Sequence, residues 1–381
     1  MNKVKIPKNR LRKLETFTLG HKPYELQSLN PEKVKKNLID LCSNDYFGLS
    51  RDNDVLKASY EISLSEGLGS GGSRFITGSR PIHQLLETQL AEWLNQEKVL
   101  LFPSGFQANI AAVQSLADRN SIVIADKLIH NSLLVGVKAS GSKLVRFVHN
   151  DLKDLENKIL KFNSTQKSIL IIVESLYSME GSIAPLKEIA GICKKYNVKL
   201  LVDEAHALGI LGHEGKGLSF DVSDEITMLT GTFGKSFGSG GAFIACNSII
   251  GEYLIQTSGA FRYTTALSPA LSAGALKSLQ KIKNNKKWGI DLLISSEKWK
   301  KEIIRNISYP VKGDSQILSI IVGQEKKAIL LQKHLEKNGF LAIAIRPPTV
   351  PVNKSRIRLT IRRDLNLEIL ENFTSVLKAF K

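Results

Sequence analysis

Two short stretches hold the residue types that reaction chemistry needs. In the first, the apolar run Val198-Lys199-Leu200-Leu201-Val202 ends in Asp203-Glu204-Ala205-His206. In the second, the run Ile226 to Leu229 leads to Gly231-Thr232-Phe233-Gly234-Lys235-Ser236. Apolar runs of this length, bounded by turn residues, read as buried parallel strands, and open α/β sheets place ligands outside the carboxyl ends of such strands. An acid and an amine are therefore delivered to one rim.

Two chemistries use such a pair. Nucleotide hydrolysis is suggested by Asp203-Glu204-Ala205-His206, which looks like a helicase-type box, and by Gly234-Lys235-Ser236, which looks like the tail of a P-loop. The P-loop pattern requires glycine at position 229, and Leu229 stands there, which disfavours this reading. The alternative is pyridoxal phosphate (PLP) chemistry. A lysine amine forms a Schiff base with the cofactor aldehyde, and an aspartate keeps the pyridine nitrogen protonated so that the ring accepts electrons. Gly234, Ser236, Gly238, Gly240 and Gly241 leave room for a flat ring near Lys235.

The elements that must position these groups alternate along the chain. Strands are expected at Leu38–Leu41, Val99–Phe102, Ile122–Ala125, Leu144–Phe147, Ile169–Val173 and Gly241–Ala245, with helices between most of them. Functional-looking loops follow several strands: Ser104-Gly105-Phe106, Asp126 to Ser132 with His130, His149-Asn150-Asp151, and Glu174 to Gly181 with Ser178. A repeated βα pattern implies a mainly parallel sheet covered on both faces. Ser104 is placed to cap a helix whose first N–H groups would suit a phosphate. Gly67, Gly69 and Gly72 match a dinucleotide fingerprint in form, but they follow a helix instead of a strand, so they read as a loop. A helix is expected at Leu11–Phe17. Farther on, strands are expected at Ile317–Val322, Leu341–Ile345 and Arg356–Ile361; the last carries Arg358, which reads either as a carboxylate clamp or as charge on a solvated edge.

The 381 residues can bury a large core, and the 43% hydrophobic and 23% charged content is that of an ordinary soluble protein. No apolar run approaches the roughly 20 residues that span a bilayer, and no signal core follows the basic amino terminus, so a cytoplasmic protein without membrane contact is expected. Cys42, Cys193 and Cys246 are scattered, which supports neither disulfides nor a metal site. Lys plus Arg outnumber Asp plus Glu by 53 to 36, a net charge of +17. The excess is spread along the chain without a basic arm, so nucleic acid is not the expected partner; a lysine-rich surface or attraction of an anionic substrate is.

Taken together in this order, Ser43-Asn44-Asp45-Tyr46, Gly69 to Arg74, Ser104-Gly105-Phe106, His149-Asn150-Asp151, Asp203-Glu204-Ala205-His206 and Thr232-Phe233-Gly234-Lys235 resemble the α-oxoamine synthase family of fold type I PLP enzymes. The resemblance implies an α/β fold with a mainly parallel seven-stranded sheet flanked by helices, and a smaller α+β carboxy-terminal domain. The implied limits are an amino-terminal segment 1–45, a PLP-binding domain 46–285 and a small domain 286–381. It implies decarboxylative condensation of an amino acid, L-alanine, with an acyl thioester of coenzyme A or acyl carrier protein, in a homodimer with a shared site. By the same resemblance Lys235 is the Schiff-base lysine, Asp203 pairs with the ring nitrogen, and His206 and Ser178 bind the ring hydroxyl. His130 stacks on the ring, and Ser104, Gly105, Phe106, Glu174 and Thr232 complete the cofactor contacts. Thr264 and Thr265 serve the neighbouring subunit's phosphate. Arg358 receives the amino-acid carboxylate, and Arg12, His130 and Thr349 match further substrate positions.

Overall fold

The computed structural model describes residue 7 and residues 10–30, 37–163 and 167–380. It divides into two compact units, one of Leu49–Ser178 with Ile183–Ile290, the other of the chain up to Gly48 with Met179–Ser182 and Asp291–Lys381.

The larger unit is built on a seven-stranded sheet in the order Lys98–Phe102, Ala242–Cys246, Met228–Thr232, Lys199–Asp203, Ser168–Glu174, Ser121–Asp126 and Lys143–Phe147. Only Ala242–Cys246 runs antiparallel to its neighbours. It follows Met228–Thr232 through a short loop closed by Phe233 N–H on Gly241 O at 2.9 Å, too little chain for a helical crossover. Side-chain alternation sends Val123, Ala125, Leu170 and Ile172 into one buried cluster with the helices Gly105–Leu116 and Asn131–Ser140. Ile122, Ile124, Ile171 and Val173 enter a second cluster with Leu152–Asn163 and Leu186–Tyr196. Each fully buried Ile, Leu or Val favours the folded state by about 1.5–3 kcal/mol, so two filled faces hold the sheet rigid under its rim.

Two expected strands end later than their apolar runs suggest. Asp203 is the last residue of its strand, and Met228–Thr232 extends through Thr230, which is 2% exposed. The Thr230 hydroxyl donates to Asn109 Oδ1 at 2.7 Å, so a polar residue sits in the buried strand with its hydrogen bond made.

The smaller unit contains two four-stranded sheets. One joins Phe17–Leu19, Glu25–Ser28, Asn37–Asp40 and Phe340–Leu341; the other joins Val311–Lys312, Ile317–Gly323, Ser355–Thr360 and Ile343–Ile345. Trp299 and Phe340 pack on Phe373 with ring centroids 5.5 and 5.2 Å away. Three expectations are corrected here. Residues 11–16 form no helix and Phe17 begins a strand; Leu14 is fully exposed, so the apolar spacing buries no face. The run Leu341 to Ile345 is two strands in different sheets, parted at Ala342. Ser355–Thr360 is an inner strand with Arg356 and Arg358 buried, which removes the solvated-edge reading.

Candidate active site

Five strands and the loops that leave them converge at one rim of the large sheet. The helix Gly105–Leu116 starts beyond Lys98–Phe102, His130 caps the helix after Ser121–Asp126, and Glu174, Asp203 and Thr232 end their own strands. With Phe106, Asn109, Ser132, Ala205, His206 and Lys235 they line a cavity of about 180 Å³. Lys235 and Asp203, separate in sequence, therefore face the same space. A larger groove of about 610 Å³ opens at the opposite strand ends, around Ser121, Ser168 and Lys199, and contains no histidine.

Asp203 is 6% exposed and its carboxylate is held on both oxygens: Asn109 Nδ2 donates to Oδ2 at 2.7 Å and Ala205 N–H to Oδ1 at 2.9 Å. His130 Nδ1 lies 2.7 Å from Ser132 Oγ. Burial of the imidazole, reinforced by the Lys235 amine and opposed by Asp203, holds the His130 pKa below its ordinary value, so the ring is neutral at pH 7. Glu174 is 3% exposed and its Oε1 has no hydrogen-bond partner. Burial first, then the charge of Asp203, raises its pKa well above the ordinary value.

The helix start has the features of an anion site. Ser104 Oγ accepts from Gln107 N–H at 3.3 Å, whereas the amides of Gly105 and Phe106 have no acceptor among the described residues. A Cβ on Gly105 would lie 3.6 Å from Thr232 Cβ, so the helix start and the strand end wall one corner. Thr232 Oγ1 itself accepts from Gly234 N–H at 3.2 Å and donates to Gly241 O at 3.0 Å.

Not every expected residue lines this cavity. Ser178 lies on the loop beyond Glu174, outside the lining, and Thr264 and Thr265 follow the short helix Gly259–Arg262, half-buried and exposed respectively. In the smaller unit Arg12 Nη2 donates to Thr349 Oγ1 at 2.8 Å, which pairs two residues expected to contact substrate. Arg358 donates to Asn44 Oδ1 and to Thr360 Oγ1, each at 2.9 Å.

The box Asp203-Glu204-Ala205-His206 does not act as a nucleotide-hydrolysis motif. Glu204 is fully buried and accepts from Ser219 N–H at 2.7 Å, turned away to anchor the Gly217–Ser219 loop. Sequence reasoning missed Asn109 and Ser132. The available signal was a polar residue among Ala108, Ala111 and Ala112 on a buried helix face, which is more informative than any apolar residue there.

The residues present fit PLP. A buried carboxylate and an amine wall a ring-sized cavity, a neutral imidazole lies beside them, uncommitted amides await an anion, and one buried carboxyl oxygen lacks a partner. The described residues contain no cluster of three or more His, Cys, Asp or Glu able to hold a metal ion.

Comparison with known proteins supports this. A family profile described as aminotransferase class I and II matches residues 36–376. The 8-amino-7-oxononanoate synthase of Saccharophagus degradans is 35% identical over 361 residues, 91% of this chain and 87% of the relative. That of Haemophilus ducreyi is 34% identical over 341 residues, 87% of this chain and 88% of the relative. Among solved structures, serine palmitoyltransferase of Sphingomonas wittichii matches with a TM-score of 0.90 at 27% identity, covering 96% of this chain and 91% of that one. A serine palmitoyltransferase matching equally well was solved with PLP bound.

Proposed function

Because the chain belongs to the aminotransferase class I and II family, whose fold and PLP dependence it shares, we propose that it condenses L-alanine with a pimeloyl thioester. Carbon dioxide is lost and 8-amino-7-oxononanoate, an intermediate of biotin synthesis, is formed. The single observation that carries the reading is the shared cavity of Lys235 and Asp203 beside a neutral His130. The names of the two relatives supply the product, and the resemblance supplies alanine and the pimeloyl thioester.

When bound, PLP supplies an electron sink for negative charge developing at the amino acid's α-carbon. In this reading Lys235 would hold the cofactor covalently, and its amine would take the proton from the amino acid's α-carbon. Asp203 would hold the ring nitrogen, where a carboxylate would favour the protonated ring. His130, uncharged, would pack against the ring, on the resemblance, without opposing a cation on its nitrogen. The amides of Gly105 and Phe106, with Ser104 and Thr232, would hold the phosphate. His206 and Ser178 are assigned the ring hydroxyl, and Arg358 the amino-acid carboxylate by a bidentate guanidinium contact, on the resemblance.

A homodimer is part of the proposal, and Thr264 and Thr265 would then serve the neighbouring subunit's phosphate. It is supported by the exposed apolar side chains Leu56, Tyr60, Leu64, Leu68 and Ile76 on and after the helix Asn53–Glu66. A cytoplasmic location belongs to the same reading; no helix among the described residues is long and apolar enough to cross a membrane. The test is product formation from alanine, glycine or serine with a panel of acyl thioesters on coenzyme A and on carrier protein. Preference for alanine with the pimeloyl chain is expected. Preference for serine with a palmitoyl donor, the pair in the name of the solved neighbour, or for glycine with an acetyl donor, would replace it.

A further inference from the structure

Asn109 and Ser132 have no part in the chemistry above, yet they tie together the two groups that flank the cavity. Asn109 is 4% exposed and projects from the helix Gly105–Leu116. Its amide nitrogen donates to Asp203 Oδ2 at 2.7 Å and to Ser132 Oγ at 2.9 Å, and its Oδ1 accepts from Thr230 Oγ1 at 2.7 Å. The orientation of this amide follows from its partners, since a carboxylate only accepts. Ser132, fully buried, receives the Asn109 hydrogen and has one proton of its own to give.

That proton has one destination. Ser132 Oγ lies 2.7 Å from His130 Nδ1, and the Ser132 backbone N–H points at the same nitrogen from 3.3 Å. A backbone N–H can only donate, so Nδ1 accepts, and the single proton of a neutral imidazole must reside on Nε2. Nε2 has no hydrogen-bond partner among the described residues.

We propose that Asn109 and Ser132 are positioning residues that lock His130 as its Nε2–H tautomer and hold Asp203 at a set distance from it, so that imidazole and carboxylate behave as one preorganised unit. Without the chain, the Asp203 carboxylate keeps, among the described residues, the Ala205 N–H, and the imidazole keeps the longer backbone N–H of residue 132 on Nδ1, so its tautomer is held less firmly. The proposal rests on the PLP reading for its catalytic consequence, but not for its structural content.

The experiment is long-range ¹H–¹⁵N NMR of the full-length protein labelled at its seven histidines, with and without added PLP. The His130 signals are identified by their loss in His130→Asn. In the wild type, Nδ1 is expected at an unprotonated, acceptor-type shift and Nε2 at a protonated one. Ser132→Ala removes only one oxygen and leaves the backbone N–H of residue 132 facing Nδ1 at the longer 3.3 Å; with the 2.7 Å hydroxyl partner gone, the two shifts should move part of the way toward each other. Asn109→Ala should move them in the same direction. With alanine and thioester, kcat for Ser132→Ala should fall on the order of tenfold or more, with KM little changed, as loss of an orienting partner of a histidine ordinarily costs. Unchanged His130 shifts in Ser132→Ala, with or without a lowered melting temperature, would overturn the proposal. Because the shifts are read before any substrate is added, an absence of product with intact shifts would count against the reaction and not against this chain of hydrogen bonds.

Discussion

Glu174 and Asp203 stand opposite each other in register at the carboxyl ends of adjacent parallel strands, and both line the same cavity. A buried carboxyl this close to another is harder to ionise, and the surroundings of the two differ. Asp203 receives Asn109 Nδ2 and Ala205 N–H, whereas Glu174 Oε1 receives nothing. Burial and the neighbouring carboxylate raise the pKa of Glu174.

Replacing Glu174 by its uncharged isostere, Glu174→Gln, should therefore leave the fold intact and change its pH response. A carboxyl whose folded pKa is raised binds more protons folded than unfolded, so wild-type stability falls as pH rises above the ordinary value of 4.5. Urea unfolding midpoints between pH 5 and pH 8 should decline less in the variant than in the wild type. Parallel declines would show that Glu174 is ionised in the folded protein.

Lys235→Ala should abolish product formation while leaving the protein folded. In the wild type, borohydride reduction should attach the cofactor to the peptide containing Lys235, detected by mass spectrometry. Near-normal turnover in the variant would rule out the proposed chemistry.

Asp203→Ala should lower kcat far more than it raises KM, by on the order of a hundredfold or more, because the acid acts on proton removal instead of substrate capture. Steady-state kinetics with alanine as the varied substrate decide this. A change confined to KM would assign Asp203 to binding.

His83 supplies a second, opposite pH signature. It is fully buried, accepts from Arg80 N–H at 3.1 Å on Nδ1 and contacts Leu267 O at 2.7 Å through Nε2. Burial, with the charge of Arg74, lowers its pKa from 6.5 to about 4. The unfolded chain binds the proton first, so stability is lost as pH falls from about 6.5 through about 4. His83→Gln should flatten this part of the urea midpoint profile, and an unaltered slope would remove His83 as its source.

Gly231→Ala should destabilise the large unit by about 1–3 kcal/mol through overpacking. The added methyl would crowd Phe243 Cζ and Leu208 Cδ1, both on buried side chains that would have to shift. A lowered melting temperature tests it.

Much of this was legible along the chain because it is local. The strand-ending Asp203, the loop with Lys235, the cap at Ser104 and the βα alternation each follow from neighbouring residues. The expected helix at Leu11–Phe17 failed for the converse reason: its spacing was right, but Leu14 buries nothing. The run through Leu341 and Ile343 likewise divides because its two halves pair with different strands, a choice made by distant partners.

The sequence by itself determined the chemical parts: an acid, an amine, an imidazole and a helix start, each placed after an apolar run that had to become a strand. Tertiary structure alone decided their states. It placed Glu174 beside Asp203, gave donors to both oxygens of one and left Oε1 of the other unpartnered, and linked Asn109 and Ser132 to His130 across 23 sequence positions between the first two. Protonation and tautomer depend on burial and on partners brought from other strands, and those exist only once the sheet has closed around them.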